Sequence, residues 1–211
     1  ERTRAGATLI VLAYLSLWLV LLRLTAVIAS PTRAIVWLGL GENSVMLAGA
    51  LVLLAVNRPW PRDSRGEPRA DASGGAVRAA RVLFGLALLG CGQGHFNFLK
   101  ETASMVPGWL PGHTAWAAAT GAGFLAAAAG ILLSVYPRLA ATLLTFMVGS
   151  FTALIWLPGI LTKPTERFEW TGFMVSLTIT AGAWLVAESY RGSPWLAIRP
   201  ARSKSLDPAS A

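Results

Sequence analysis

The side chains best suited to chemistry collect near the end of one apolar stretch, in the run Gly90-Cys91-Gly92-Gln93-Gly94-His95-Phe96-Asn97-Phe98. An imidazole such as that of His95, at the end of a membrane helix, can ligate a haem iron, hydrogen-bond a quinone carbonyl, relay a proton or satisfy a neighbouring carbonyl. Haem ligation by two histidines would require His113, which lies beyond a loop. Gln93 and Asn97 flank His95 with groups that both donate and accept. Cys91 precedes His95 by four residues and would share its helix face. A single thiol within a span is more often a packing group than a nucleophile. Because Cys91 is the only cysteine, an intramolecular disulfide, a CxxC pair and a cysteine-built zinc or iron-sulfur site are excluded. The Gly-rich run Gly121-Ala122-Gly123-Phe124 lies inside an apolar stretch rather than after a strand, so no nucleotide fingerprint is present. The cofactor is unknown on these grounds; a quinone is compatible, and no metal or nucleotide signature is visible.

Further polar groups fall at the same ends of other apolar stretches. Arg23 ends the first, Glu42 and Asn43 open the second, Lys100 and Glu101 follow the third, and His113 and Thr114 open the fourth. Charges inside a membrane cost at least about 2–3 kcal/mol each at helix centres, so they face a partner or a wet cavity. Arg23 and Glu42 can pair with each other, and such a pair, if buried, more often stabilises the bundle than acts on a substrate. The segment Pro107-Gly108-Trp109-Leu110-Pro111 is stiffened by two prolines, and Trp109 and Trp116 can dock it as a cap. The candidate site is thus an outer-side polar cavity of His95, Gln93, Asn97, Arg23, Glu42 and Trp109.

These residues must be positioned by helices in lipid. Of 211 residues, 55% are apolar and 13% charged, and the mean hydropathy is +0.57. Soluble domains carry about 25% charged residues. Crossing a bilayer core of about 30 Å takes roughly 20 apolar residues of helix. Six stretches qualify: Thr8 to Ala29, Ala34 to Val56, Val82 to Leu99, Thr114 to Tyr136, Leu139 to Ile160 and Trp170 to Glu188. Arg2, Arg4, an apolar run and Val27-Ile28-Ala29 have the three-part look of a cleavable leader, but the run exceeds the roughly 7–15 residues of a signal core and reads as a span.

The net charge of +8 does not mark a nucleic-acid face, because Lys and Arg fall between the apolar runs. Thirteen fall on the side of the termini and five on the other, which predicts cytoplasmic termini. Residues 57–81, rich in Pro, Arg, Asp, Gly and Ser, read as a flexible basic linker between an N-terminal helix pair (1–56) and a four-helix unit (82–190). Residues 191–211 read as a basic cytoplasmic tail, disordered rather than regulatory, with its charges against anionic lipid and Trp195 and Leu196 in the interface. Gly123, Ala127 and Ile131, with Ala126 and Gly130, repeat at four-residue spacing and mark the fourth span as the centre of the bundle. Trp37-Leu38 and Trp109-Leu110 hint at an internal repeat of helix pairs.

From about Arg78 to Leu196 the chain resembles the DoxX-like family of bacterial membrane proteins. The likeness rests on His95-Phe96 at a helix end, the Pro107-Gly108-Trp109-Leu110-Pro111 loop, Thr120-Gly121 before a small-residue helix, and Arg138-Leu139-Ala140-Ala141 opening the next. Many relatives carry a glutamate just after the Thr-Gly, where this chain has Ala122, Gly123 and Phe124. The role of that carboxylate is not carried over. The resemblance implies an all-α membrane protein, a four-helix bundle here preceded by two additional spans. The family name derives from a subunit associated with thiosulfate-to-quinone electron transfer, and other relatives are linked to redox-stress complexes or to assembly of membrane partners.

Whether the chain is an enzyme is left open. The leading expectation is an inner-membrane protein binding a quinone or similar lipophilic molecule, with electrons supplied by a redox partner subunit. The alternatives are a non-enzymatic assembly or stress-related factor acting through helix contacts, and a small transporter. The expected partners are membrane lipids and, for the bundle itself, further copies of the chain, with no nucleic acid.

Overall fold

The computed structural model describes residues 2–57 and 70–198, apart from the side chains of Arg2, Arg4 and residues 70–73. Among the described residues there is no strand, and six helices are long and apolar enough to cross a membrane. They are the first span Ala5–Ala29, the second Ala34–Asn57, the third Gly74–Asn97, the fourth His113–Leu132, the fifth Pro137–Thr162 and the sixth Arg167–Glu188. All ends but one lie within a few residues of the sequence expectation. The exception is the start of the third helix, which reaches back to Ala70. Residues 70–81 of the expected flexible linker are therefore helix, consistent with their alanines and arginines being good helix formers. The rest of that linker, 58–69, lies outside the described residues.

The third span packs on the second and fourth, the fourth on the fifth, the fifth on the sixth, and the sixth back on the second. Five spans thus close a ring, and the first lies outside it against the second. The most buried helix is the second: 61% of its apolar window is buried, against 33% for the fourth and 11% for the first. The fourth span is consequently not the centre of the bundle. Its small residues do serve close packing, with Ala127 and Ala128 in the core and Gly123 against Met147 of the fifth span. Phe84, Leu88, Val45 and Val186, contributed by the third, second and sixth spans, are fully enclosed there.

The second span fits between its neighbours because it has no side chain where they come closest. A Cβ on Gly49 would stand 2.5 Å from the Cα of Gly182 in the sixth span. One on Gly41 would stand 2.6 Å from the Ala87 carbonyl oxygen of the third. Lipid supplies no hydrophobic drive between helices, so such backbone contacts carry the packing.

Two spans contain π-helical turns. In the fifth, Thr152–Trp156 is π-helical just ahead of Pro158. Proline lacks an N–H and its ring crowds the carbonyl four residues back, here Leu154, which sits in the widened turn. In the first, Leu19–Leu24 is π-helical and carries Arg23, with the Thr25 hydroxyl donating to the Leu21 carbonyl at 2.5 Å.

At the arginine-rich end the chain after the sixth span turns back onto the bundle. Arg81 donates through Nε to Ser189 Oγ at 3.0 Å, through Nη2 to the Ser189 carbonyl, and lies 3.8 Å from the Tyr190 ring centroid. Arg138 donates to the Ser193 carbonyl at 2.9 Å and stacks 4.0 Å over Trp195. The Tyr136 amide donates to Ala197 at 2.9 Å, and Val135 bridges Ile198. Residues 191–198 are therefore a docked segment rather than the disordered tail expected, because Arg138 finds a backbone carbonyl and an aromatic face there and Tyr136 and Val135 pair with its end, while Arg81 secures Ser189 and Tyr190 just ahead of it. Residues 199–211 lie outside the described residues.

Burial pushes the Tyr190 phenol up from its ordinary value, and the Arg81 charge opposes that rise. The folded state then holds this proton more tightly than the unfolded chain, so stability is full below about pH 10 and falls as pH rises past it. Tyr190→Phe keeps the ring under Arg81 and is expected to lose less thermal stability above about pH 10 than the wild type; equal alkaline loss in both would show another group responsible. Gly49→Ala should destabilise the protein by about 1–3 kcal/mol in detergent unfolding, since backbone must shift. Gly74→Ala, where an added Cβ meets nothing within 4 Å, should be neutral or slightly stabilising.

Candidate functional site

The third helix ends at Asn97, and the backbone breaks at Phe98 before a short helix Leu99–Met105. The fourth span starts only at His113, after a loop whose Gly112 takes a left-handed φ of 74°. His95 therefore meets the fourth span at Thr120, about 10 Å below that helix's start at 1.5 Å per residue. His95 Nδ1 lies 3.0 Å from Thr120 Oγ1. A Cβ on Gly121 would come within 2.9 Å of His95 Cβ and 3.0 Å of the Phe96 ring, so the missing side chain is what admits this approach. The dipeptides His95-Phe96 and Thr120-Gly121 are one contact in space.

This contact sets the roles of the ring nitrogens. The Thr120 hydroxyl donates to the Ala117 carbonyl at 3.0 Å and has only one proton to give. In that arrangement His95 Nδ1–H donates to Thr120, and Nε2 of the neutral ring is the acceptor. Phe124 of the fourth span and Phe151 of the fifth flank the imidazole, with centroids at 5.1 and 6.0 Å. Just beyond Phe151, Thr152 in the π-helical turn forms a buried hydroxyl cluster with Ser176 at 2.8 Å and Thr180 at 3.2 Å.

The remaining candidates do not join His95. Gln93 and Asn97 are on the other face of the third helix: Gln93 Nε2 donates to Ala34 and Gly90 carbonyls, both at 3.0 Å, and Asn97 Nδ2 donates to Gln93 Oε1 at 2.8 Å. Gln93 thereby fastens the third span to the start of the second, and Asn97 braces its side chain. Arg23 folds against the second span, its Nη1 2.5 Å from where a Gly39 Cβ would stand. Glu42 is one turn along from Gly39, yet no ion pair within 4 Å joins it to Arg23; the described pairs are Lys163 with Glu169 at 3.7 Å and Arg191 with Glu188 at 2.5 Å. Arg23 Nε and Asn43 Oδ1 are instead buried without hydrogen-bond partners. Trp109 is 70% exposed and no residue of the short helix is buried, so the proline loop is not docked as a cap. The single polar cavity expected from the sequence is resolved into four separate places: His95, Gln93 with Asn97, Arg23 with Glu42, and the exposed Trp109.

Thr120 was within reach of sequence reading as part of the Thr-Gly pair, but Phe124, Phe151 and the Thr152 cluster carried no signal of proximity. The tryptophan pairing also differs from the expected repeat. Trp37 and Trp170 are the geometric twins, each donating from Nε1 at 2.8 Å to the carbonyl of a proline six residues earlier, Pro31 and Pro164. Two of the better-formed clefts lie at the arginine-rich end, and neither includes any of the six candidate residues.

Residues 84–185, from within the third span to within the sixth, match a family described as a domain of unknown function (DUF8561). No curated protein and no solved structure matches the chain.

Thr120→Val removes the acceptor for Nδ1–H. In ¹⁵N NMR of labelled histidine, wild-type His95 should show a protonated Nδ1 and an unprotonated Nε2, and the variant a shift toward the other tautomer. The same spectrum in both proteins would reject the assigned hydrogen bond.

Proposed function

We propose that this chain is a DoxX-like membrane protein of a bacterial inner membrane, with cytoplasmic termini, that binds a quinone-type lipophilic molecule at His95. The observation that carries this reading is an imidazole fixed by Thr120 between two phenylalanine rings. Aromatic faces favour a flat ring, and a preoriented nitrogen supplies the polar contact that fixes its position. With Nδ1–H committed to Thr120, Nε2 accepts; that suits the hydroxyl of a quinol better than the carbonyl of a quinone, and places a base where a quinol proton would leave on oxidation. Phe96, exposed beside His95, marks approach from the lipid rather than from an aqueous cavity. Electrons would pass to or from a partner subunit. The positioning of DoxX motif residues around His95 supports the family reading, and the arginine tally supports the orientation.

The first span favours a second reading, an assembly factor. Only 11% of its apolar window is buried, and Ile10, Leu17 and Ile28 are more than half exposed, which leaves a face free for another helix.

Gentle purification followed by extraction and mass spectrometry separates the two. Quinone or quinol should accompany the wild type and Arg23→Gln, and fall about tenfold or more in His95→Ala, as expected for losing one hydrogen bond together with the pocket shape. Absence of any such molecule from the wild type would leave the assembly reading in its place.

A further inference from the structure

The two arginine clamps build more than a fastening. Between the fifth and sixth spans at the arginine-rich end lies a groove of about 260 Å³, closed on one side by the returning segment. Its mouth carries Arg138, Glu188 and Arg191. Arg191 and Glu188 neutralise one another at 2.5 Å, so the groove keeps one net positive charge, centred on Arg138. That guanidinium is held in place by the Ser193 carbonyl and the Trp195 face, using one N–H and leaving the others to donate. Trp184 stands one helical turn deeper than Glu188, and Phe146 two turns deeper than Arg138; they are 61% and 69% exposed. Along the membrane normal the groove therefore passes from cation, through an indole at interface depth, to bare hydrocarbon.

We propose that this groove is a binding site for one anionic glycerophospholipid, its phosphate on Arg138 and its acyl chain along Phe146. A soluble anion would have no use for the apolar half, and a packed helix would leave Arg138 with unmet donors in lipid. A rigid, prepositioned guanidinium is the side chain best matched to a phosphate. The other cleft at this end, about 460 Å³ beside Arg78 and Val82, is wider and more open and holds a single arginine with no aromatic wall. The groove shares no residue with the His95 site, so either can fail without the other.

The purified chain in mild detergent is titrated with phosphatidylglycerol or with phosphatidylcholine of the same acyl chains and followed by native mass spectrometry. The first bound lipid should favour phosphatidylglycerol by about tenfold, because both lipids bring a phosphate but the choline ammonium of phosphatidylcholine is repelled by the groove's net positive charge. Arg138→Gln with Arg191→Gln should reduce that preference to within about twofold, whereas Arg78→Gln, which removes a charge from the other cleft, should preserve it. Because Arg138 also secures the returning segment, Thr142→Phe is the companion variant: it fills the groove with both arginines in place and should cut lipid retention as severely. Equal binding of the two lipids, an equal loss in Arg78→Gln, unchanged retention in Thr142→Phe, or full displacement by inorganic phosphate would each overturn the site.

Discussion

Everything in this bundle depends on the second span being able to lie against two neighbours at once. In lipid, helices gain nothing from hiding apolar surface from one another, so association relies on dense contact between backbones. Gly41 meets the third span and Gly49 the sixth, each at a distance that any side chain would prevent. The second span thereby closes a ring that the third to sixth spans would otherwise leave open, since the third and sixth touch each other only lightly. A four-helix unit preceded by two more spans describes the order along the chain. In space, one of those two is the keystone, and the other is a peripheral helix mostly facing outward.

The same ring decides which face of the third span does what. Gln93 points toward the second span and donates to its Ala34 carbonyl, with Asn97 donating to the Gln93 side chain, while His95 points between the fourth and fifth. Two residues of separation rotate a helical side chain by roughly 200°, so polar neighbours in sequence need not share a cavity. The orphaned Arg23 Nε and Asn43 Oδ1 belong to the interface of the first and second spans, away from the histidine. Buried polar atoms without partners cost several kcal/mol in a membrane, which makes this interface the least settled part of the packing.

Arginines illustrate how one residue type can serve two purposes. Counted along the chain, they report sidedness, and in that count Arg81 and Arg138 are interchangeable with any other. In the folded protein these two are singled out: one stacks on Tyr190, the other on Trp195, and both donate to the chain that leaves the sixth span. The left-handed backbone at Ser134 and Tyr136, unusual for residues with a Cβ, is retained where the returning segment hydrogen-bonds to Tyr136. Sequence composition read 191–198 as tail because basic, proline-bearing segments rarely carry enough apolar surface to order themselves; here the order is imposed from outside the segment.

From the sequence alone came the six spans, most of their boundaries, and the identity of His95 and the Thr-Gly pair as positions worth attention. Those are local properties: hydropathy over about 20 residues is enough to define a membrane helix, because the bilayer has one thickness and the backbone has one way to satisfy itself there. What tertiary structure decided is which span is central, that Thr120 is the partner of His95 while Gln93 and Asn97 are not, that Arg23 and Glu42 do not close an ion pair, and that the last described residues fold back. These depend on the rotation of each helix about its axis and on contacts between segments as much as a hundred residues apart. Small residues are spread over several spans of this chain, so their spacing alone does not say which of them another backbone will occupy.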